Sequence, residues 1–314
     1  MKSYLVTGGA GFIGSNIVGE LVKRGERVRV IDNFSFGKRE NINGFLNKIE
    51  LIEGDIRDQA VLRKAIEGCD YVIHQAALRS VPKSVQDPLL FNEVNVGGTL
   101  NVLMLSLEAK VKRVVFASSS SIYGDSVKLP QKEDQLPQPV SPYAATKLAG
   151  EHYCRVFSKS YGLETVSLRY FNVFGPKQSL ESEYAVVIPK FITCMMQGER
   201  PPVHGDGTQS RDFTYVDNVV DANLMAAARE GVSGEVFNIA CGKSCNLLEL
   251  IKALNEILGK NISPQFTAPR PGDVKHTLSN VAKMRTLLSL NPKVDFLQGL
   301  RKTVEYFTAL KDKE

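Results

Sequence analysis

A tyrosine and a lysine with the spacing needed for proton transfer lie near the middle of the chain, at Tyr143 and Lys147. The preceding Ser141 and Pro142 favour a helix start, because serine caps a helix N-terminus and proline suits the first helical position. Residues four apart on a helix share one face, so both side chains can reach one cleft. Taken alone, such a pair is typical of an ordinary amphipathic helix.

The chemistry of this pair would be general acid–base catalysis by the tyrosine hydroxyl. The ordinary pKa of that group is about 10, and bringing it to about 7 takes roughly 4 kcal/mol in favour of the phenolate. A unit positive charge about 4 Å away supplies roughly that much at an effective dielectric constant of about 20. We therefore expect the Lys147 ammonium, aided by a second positive charge in the cleft, to make Tyr143 a base near neutral pH.

Three glycines, Gly8, Gly11 and Gly14, follow the first predicted strand and open the first predicted helix. Without side chains in the way, backbone amides at this helix N-terminus can approach a pyrophosphate. The second predicted strand ends at Asp32, close to the spacing of about 20 residues expected for a carboxylate that binds an adenosine ribose. The pattern predicts a dinucleotide site, whose oxidised nicotinamide ring would be the second charge beside Tyr143.

The type of dinucleotide depends on Asp32. Its negative charge would repel the 2′-phosphate of NADP and accept hydrogen bonds from the free ribose of NAD, so we predict NAD. Lys38 and Arg39 are close enough in sequence to compensate a phosphate, and an alternative interpretation places them in a solvated loop.

Apolar runs typical of buried strands alternate with helical patterns in the first half of the chain. Because the runs are too apolar for a sheet with one wet face, they predict parallel strands covered by helices on both faces. The predicted fold is α/β, a Rossmann-type doubly wound parallel sheet that binds ligands at the carboxyl ends of its strands. The runs are residues 4–6, 28–31, 49–52, 71–73, 114–117 and 165–168.

The pattern changes after about Phe171, where prolines and glycines punctuate the chain. We predict an NAD-binding domain over residues 1–172 and a smaller C-terminal α/β domain, mainly for substrate, over residues 173–314. The segment near residues 213–240 is expected to return to the first domain. Predicted helices over residues 217–228 and 247–258 and a strand over 236–240 follow from the apolar spacing.

Composition excludes several classes of protein. The 314 residues are 43% hydrophobic and 23% charged, and positive residues exceed negative ones by five. The positive residues are scattered, so we predict no nucleic-acid partner, and a mild positive charge suits a substrate that carries phosphates.

The cysteines predict reduced thiols and no metal site. There are five of them, an odd number in a chain too large to need disulfides, and no ligand group with zinc spacing follows Cys241 and Cys245. No segment has the pattern of a membrane span, so we predict a cytoplasmic protein without a membrane partner.

At this point the chain resembles the extended short-chain dehydrogenase/reductase family. The resemblance rests on the glycine turn, on residues 95–101, on the serine run before Tyr123-Gly124, and on Tyr143 with Lys147. Within the family the chain is most similar to the nucleotide-sugar 4-epimerases, especially the UDP-N-acetylglucosamine group, through residues 168–175, 185–191, 205–216 and 270–273.

The resemblance implies a set of catalytic and cofactor-binding residues. Ser119 would be the catalytic serine that hydrogen-bonds the sugar 4-oxygen, with help from Ser120. Two implied residues also have plainer interpretations, Asp55 as a strand cap and Asn95 as a buried polar group of a helix. Beside the glycines, Asp32, Tyr143 and Lys147, the implied NAD-binding residues are Phe12, Ile13, Asn33, Ser35, Gly37, Asp55, Ile56, Gln75, Ala76, Ala77, Arg79, Asn95 and Phe171.

The resemblance also implies a UDP-sugar site. Arg211 and Arg270 would hold the diphosphate with a neutral donor from Asn172, although either arginine can instead form a surface ion pair. Ser119, Ser120 and Tyr143 would contact the sugar. Asp273 would bind the uridine ribose, and residues Val186, Val187, Val203 and His204 would line the uridine.

The reaction implied is 4-epimerisation of a UDP-hexose. Related dehydratases carry an acidic pair just after the catalytic hydroxyl, where this chain has Ser120 and Ser121. Thr277 stands where glucose-restricted epimerases carry a bulkier residue, so it leaves room for an N-acetyl group.

We predict interconversion of UDP-GlcNAc and UDP-GalNAc, together with UDP-glucose and UDP-galactose. A UDP-glucuronate 4-epimerase and a non-catalytic nucleotide-sugar sensor are the alternatives. The resemblance further implies a homodimer formed through residues 89–107 and 143–161.

Overall fold

The computed structural model describes residues 1–125, 128–179, 187–268 and 275–311. Its strands are β1 (Ser3–Thr7), β2 (Arg27–Asp32), β3 (Ile49–Glu53), β4 (Tyr71–His74), β5 (Arg113–Ser119), β6 (Glu164–Tyr170), β7 (Val173–Phe174), β8 (Pro202–His204), β9 (Ser210–Asp212), β10 (Thr214–Tyr215), β11 (Glu235–Ile239), β12 (Ser244–Asn246) and β13 (Gln265–Thr267). Its helices are α1 (Phe12–Lys23), α2 (Gln59–Ile66), α3 (Val81–Gln86), α4 (Pro88–Asn92), α5 (Gly98–Glu108), α6 (Pro142–Val156), α7 (Val187–Met196), α8 (Val216–Ala228), α9 (Leu247–Leu258), α10 (Ala282–Leu287) and α11 (Phe296–Lys311).

The main sheet of the described residues has seven strands in the order β3-β2-β1-β4-β5-β6-β11. Every neighbouring pair in it is parallel. The chain moves outward in one direction from β1 to β3 and in the other from β4 to β6. This is the predicted doubly wound arrangement, and ligands of such sheets bind where the order reverses, between β1 and β4.

Both faces of this sheet are covered by helices because successive strand residues point to opposite sides. On β1, Tyr4 and Val6 join the apolar cluster that contains α1 and α8. Leu5 between them joins the cluster that contains α2, α5 and α6. The strands are therefore apolar on both faces, as parallel sheets require.

The helix that carries Tyr143 and Lys147 begins as predicted. The Ser141 hydroxyl accepts a hydrogen bond from the Ala144 amide at 3.2 Å, with Pro142 at the first helical position. Gly150 lets α6 approach β5 closely, since a Cβ there would lie 2.3 Å from the Phe116 ring. Close packing fixes the height of the helix above the end of β5.

The second half of the chain forms smaller strand pairs that are separate from the main sheet. β7 pairs with β10, β8 with β13, and β9 with β12. Between these pairs the chain returns to the main sheet, where β11 pairs with β6 from Glu235–Val166 to Ile239–Tyr170. β7 thus directly follows the carboxyl end of β6, and β12 follows that of β11.

The described residues contain neither a membrane-spanning helix nor a metal-binding cluster. No helix there is both long and apolar enough to cross a membrane. Within the same residues, no three histidine, cysteine or acidic side chains are grouped to hold a metal ion. The five cysteines are free thiols.

Candidate functional site

A cavity of about 590 Å³ opens where the strand order reverses, at the carboxyl ends of β1, β2 and β4. It brings together most of the residues predicted to bind a dinucleotide, from every one of these strand ends and from α6. The predicted residues that line it are Gly8, Gly11, Phe12, Ile13, Gly14, Asp32, Asn33, Ser35, Gly37, Asp55, Ile56, Gln75, Ala76, Ala77, Arg79, Tyr143 and Lys147.

The glycine turn has no space for side chains. Gly8 has a φ of +66°, which favours glycine, and a Cβ on it would lie 2.8 Å from the backbone of Ala76. A Cβ on Gly14 would lie 2.2 Å from the carbonyl oxygen of Gly8. The N-terminus of α1 is therefore open to the cavity, and its amides fit the pyrophosphate of a dinucleotide.

Asp32 is held in place at the end of β2. Its carboxylate accepts hydrogen bonds from the amides of Ala10 and Phe34, both at 2.9 Å. Burial raises its pKa, and these two amides oppose the rise. Its remaining acceptor capacity suits the two hydroxyls of an adenosine ribose.

The nearby arginines are already paired with acids. Arg39 forms an ion pair with Glu53 and stacks over the Phe34 ring at 4.2 Å. Arg57 donates twice to Asp55, at 3.0 and 2.9 Å, and these bonds lower the pKa of that carboxyl. Engagement of Arg39 by Glu53 favours the free ribose of NAD over a 2′-phosphate.

The Lys147 ammonium is held by the backbone of β5. It donates to the carbonyl oxygen of Ala117 at 2.8 Å, and burial lowers its pKa to about 8. Burial raises the pKa of Tyr143, while the Ser119 hydroxyl and the Arg79 guanidinium oppose this rise. The groups that lower the pKa of Tyr143 therefore differ from the expectation from the sequence, in which the charge of Lys147 lowers it.

Ser119 is oriented by its own turn. Its oxygen accepts hydrogen bonds from the Ser121 amide at 3.2 Å and from the Ser121 hydroxyl at 2.9 Å. Its hydroxyl proton is therefore available to the Tyr143 phenol or to a sugar oxygen. Ser120 opens the short 3-10 helix, Ser120–Tyr123, that follows.

Two predicted cofactor residues lie behind the cavity rather than in its lining. The Asn95 carboxamide accepts from the amide of Leu78 at 2.8 Å and donates to the Leu78 carbonyl and the Thr146 hydroxyl, both at 3.0 Å. These bonds match its plainer interpretation as a buried polar group, and they tie the loop after β4 to α6. Phe171 is fully buried beside Tyr123, with ring centroids 6.1 Å apart.

Several lining residues were not predicted from the sequence. Ser118 is the next-to-last residue of β5 and Tyr170 is the last residue of β6. Arg57, Lys83 and Phe91 come from loops and helices. The rule that ligands bind at carboxyl ends of parallel strands would have indicated Ser118 and Tyr170. The others follow no local pattern.

The predicted substrate residues Asn172 and Thr277 come together at Asp212. Asn172 donates through Nδ2 to the Asp212 carbonyl and to the Thr277 hydroxyl, both at 3.2 Å, and the Asp212 amide donates to the same hydroxyl. Both amide hydrogens of Asn172 are thus engaged, so its carboxamide offers an acceptor here rather than the donor that we expected.

The remaining substrate predictions lie on β8, β9 and α7 or outside the described residues. Arg211 donates to the carbonyls of Ser210 and Lys275, at 3.0 and 3.2 Å. Val203 and His204 lie on β8, where the His204 ring hydrogen-bonds Thr267 at 2.7 Å, and Val187 begins α7. The predictions for Val186, Arg270 and Asp273 lie outside the described residues.

Comparison with known proteins gives consistent matches along the chain. A model of the NAD dependent epimerase/dehydratase family matches residues 4–240. The UDP-glucose 4-epimerase of Mycolicibacterium smegmatis is 37% identical over 307 residues, which cover 96% of this chain and 97% of that protein.

Solved structures of related proteins also match nearly the whole chain. A UDP-N-acetylglucosamine 4-epimerase from Methanobrevibacter ruminantium M1, in complex with UDP-N-acetylmuramic acid, is 42% identical with a TM-score of 0.94, covering 98% of this chain and 99% of that chain. A UDP-glucuronic acid 4-epimerase from Bacillus cereus, in complex with UDP-glucuronic acid and NAD, is 34% identical with a TM-score of 0.90 and the same coverage. These matches confirm the resemblance found in the sequence, the doubly wound fold and the prediction of NAD.

Proposed function

The chain belongs to the NAD dependent epimerase/dehydratase family, and on that premise we propose that it is a 4-epimerase of UDP-hexoses. Its substrates in this proposal are UDP-GlcNAc and UDP-GalNAc, and also UDP-glucose and UDP-galactose. The relatives described above are named for three different UDP-sugars, so the choice of hexose rests on this chain's own residues.

One observation carries the proposal. The Tyr143 phenol and Lys147 line the same cavity as the glycine turn and Asp32, and the Ser119 hydroxyl acts on that phenol. A proton-transfer group therefore stands at the end of a dinucleotide site. The two residues after Ser119 are serines, so the acid and base that an elimination needs are not supplied at those positions.

NAD, when bound, supplies reversible oxidation at the sugar carbon. The residues present fit it, since Gly8 and Gly14 leave the N-terminus of α1 open, and Asp32 stands at the end of β2. Asn95 and Thr146 hold the loop after β4 against α6, so the cofactor side and the proton-transfer side of the cavity keep a fixed relation.

The protein's own part in the reaction is to move one proton and to hold the nucleotide. Tyr143 would take the proton of the sugar 4-hydroxyl while the free proton of Ser119 hydrogen-bonds the same oxygen. The sugar ring of the resulting 4-ketone must rotate to present its other face between the two half-reactions. Arg211 and Arg270 would hold the diphosphate during this rotation, because charge-assisted hydrogen bonds are stronger than the neutral contacts of the sugar. Tyr143 then returns the proton to the inverted alcohol.

The acetylated substrates are proposed from Thr277. Its small side chain is half-buried beside Asn172 and Asp212, and its hydroxyl is fixed by both of them. A threonine so held supports a sugar pocket with room for an N-acetyl group.

The test is incubation of the NAD-loaded protein with UDP-GlcNAc, UDP-glucose and UDP-glucuronate, followed by separation of the products. We expect C4 inversion of the first two. Inversion of UDP-glucuronate alone would favour the UDP-glucuronate 4-epimerase, and binding of all three without any product would favour a nucleotide-sugar sensor. Either result would overturn the proposal.

We also propose a homodimer formed by helices on one side of the NAD-binding domain. α4, the helical turn over residues 93–97 and α5 follow one another and pack beside α6. Large apolar side chains on these helices are exposed to solvent. They include Leu89 at 76%, Met104 at 50%, Tyr153 at 36% and Val156 at 47%. A second copy of the chain would cover them.

A further inference from the structure

A buried ion pair lies directly behind the proposed proton-transfer residues. Arg169 of β6 donates to Glu151 of α6 through two parallel bonds, Nε to Oε1 at 2.9 Å and Nη2 to Oε2 at 2.8 Å. The two side chains are only 5% and 4% exposed. Glu151 follows Tyr143 and Lys147 in successive steps of four residues, so it continues their face of the helix.

The pair contacts the part of β5 that holds the site. The Ser118 hydroxyl donates to the Glu151 carboxylate, and Ser118 lies between Ala117, which accepts from Lys147, and Ser119. The carboxylate therefore fixes the strand residue that joins the lysine's partner to the catalytic serine.

Arg169 extends the same support to the far end of the serine run. Its Nη1 donates to the Tyr123 hydroxyl at 2.7 Å, and that hydroxyl donates to the Asn238 carboxamide of β11 at 2.7 Å. Tyr123 ends the 3-10 helix that begins one residue after Ser119. The ion pair thus holds residues 118–123 at both ends.

Glu151 is also the charge that faces the Lys147 ammonium. Among the described residues, the ionisable groups whose charges interact with this ammonium are Cys154 and Glu151 of α6 and His74 of β4. Burial raises the pKa of Cys154 to about 12 and lowers that of His74 to about 3, so both are neutral near pH 7. Of these three, only the carboxylate opposes the loss of the proton from the buried lysine.

A purely structural role would not require these charges. Burying an ion pair is unfavourable enough that apolar side chains of similar volume often stabilise a fold as well or better. A second pair, Arg113 of β5 with Glu164 of β6, lies at the opposite end of β6 from Arg169, and there the glutamate is 49% exposed. The fully buried pair, Arg169 with Glu151, is the one beside the proposed proton-transfer residues.

We propose that Glu151, held by Arg169, is a positioning residue for the proposed epimerase reaction, which keeps the Lys147 ammonium charged and holds Ser119 against Tyr143. The inference rests on the proposed function. It assigns the pair to catalysis although neither side chain contacts substrate or cofactor.

The first test is Glu151→Gln, which keeps the size of the side chain and removes its charge. We expect kcat to fall by about tenfold or more while KM changes little, because the lost interaction acts on proton transfer rather than on binding. The alkaline limb of the kcat–pH profile should move to lower pH, since Lys147 would lose its proton more readily. Glu151→Asp keeps the charge and should restore that limb. Glu164→Gln, the matched control, should behave as the wild type.

A variant that leaves Arg169 unpaired can fail to fold, so a second variant removes both charges. Glu151→Met with Arg169→Met should fold and retain NAD, and its kcat should still be low. Wild-type kcat and an unmoved pH profile in this double variant would overturn the proposal, as would an equal loss in Glu164→Gln.

A spectroscopic measurement separates this inference from the proposed function. The phenolate absorbance of Tyr143, taken in the NAD-loaded protein as the difference from Tyr143→Phe, needs no substrate. The phenolate absorbance should rise at higher pH in Glu151→Gln than in the wild type, because the phenol would lose the support of a charged Lys147 and of a fixed Ser119. If no UDP-sugar is turned over by the wild type, the proposed function fails, and this titration still decides the inference. An unchanged titration would contradict it.

Discussion

Tyr143 carries the proposed chemistry while its own surroundings oppose its ionisation. Burial raises its pKa, and the opposing contributions of the protein come from Ser119 and Arg79. The chain alone therefore keeps the phenol protonated near neutral pH. We infer that a bound cofactor's positive ring is needed before Tyr143 can act as a base, so that proton transfer depends on a loaded site.

The Tyr143→Phe variant removes only the hydroxyl. Because Phe fills nearly the same volume, the variant should keep NAD, whereas turnover of UDP-sugars should fall by about 10²–10⁴-fold, the range expected for a lost general acid–base group. NAD content by absorbance and initial rates measure the two effects. Turnover close to that of the wild type would exclude Tyr143 as the acid and base.

Arg79, in the loop after β4, should tune the same phenol. Among the described residues no carboxylate pairs with its guanidinium, and its charge acts on Tyr143. Arg79→Gln should move the acid limb of the kcat–pH profile to higher pH, because a phenol that loses a neighbouring cation ionises less readily. Lys23→Gln, which removes an exposed charge from α1, should leave the limb in place. An unmoved limb in Arg79→Gln would show that Arg79 serves cofactor binding alone.

Thr277 should decide which hexoses are accepted. Thr277→Tyr is expected to lower kcat/KM for UDP-GlcNAc more than for UDP-glucose, because the larger side chain would fill the space of the acetyl group. The change also removes the hydroxyl that holds Asn172. Thr277→Val loses that hydroxyl without adding bulk, so it serves as the control and should affect both sugars alike. An equal effect of tyrosine on both sugars would contradict the specificity argument.

At the scale of elements, the local patterns of the sequence were sufficient for the sheet. Each predicted apolar run lies within a strand of the main sheet, and the helix predicted over residues 247–258 is α9. The glycine spacing likewise located the cavity. These predictions succeeded because strand burial, helix faces and turn glycines depend on residues that are close in sequence.

Contacts between distant elements could not be predicted in this way. Asn172 contacts Thr277, which is 105 residues away in the sequence. Arg169 of β6 contacts Glu151 of α6. No periodicity encodes either pair. The expected donor role of Asn172 and the expected partner of Lys147 both depended on such contacts, and for this reason the structure differs from the expectation at both.

Asp212 joins the end of β9 to two other segments of the chain. Its fully buried carboxylate accepts from the amides of Cys241 and Gly242 at 3.0 Å and of Ser279 at 3.2 Å. Burial raises its pKa to about 6 from an ordinary 3.8. The folded state thus binds this proton more tightly than the unfolded chain, so the stabilisation is complete below about pH 4 and is lost as the pH rises through about 6.

Asp212→Asn should therefore be more damaging in acid than at neutral pH. An amide has one acceptor oxygen for three donors, so the free energy of unfolding should fall by about 1–3 kcal/mol at pH 7. The loss should be larger by about 2 kcal/mol at pH 4.5, where the wild type gains from its protonated carboxyl. Urea unfolding of both proteins at the two pH values measures this. A loss that is the same at both pH values would contradict the shifted pKa.

At the scale of the molecule, the exposed apolar face of α4, α5 and α6 should be an interface between two copies. Leu89→Glu with Met104→Glu should convert a dimer into a monomer, because two charges would be buried against a second copy. Light scattering after size exclusion gives the mass. Leu136→Glu changes a residue that is 79% exposed outside these helices, and it should remain a dimer. A monomeric wild type would contradict the proposal.

The arrangement of the whole chain makes the proposed reaction self-contained. The cavity for the dinucleotide lies at the carboxyl ends of β1, β2 and β4, and the residues proposed to hold the nucleotide of the substrate lie in the segments after β6 and β8. Tyr143 of α6, the proposed proton-transfer group, lines that cavity. A sugar that is oxidised and reduced at C4 in this space needs no second substrate.

UDP-GlcNAc labelled with deuterium at C4 tests this account most directly. After incubation with the NAD-loaded protein, nuclear magnetic resonance of the products should show UDP-GalNAc that keeps the deuterium at C4. Loss of the label to water, or recovery of UDP-GlcNAc alone, would contradict the account.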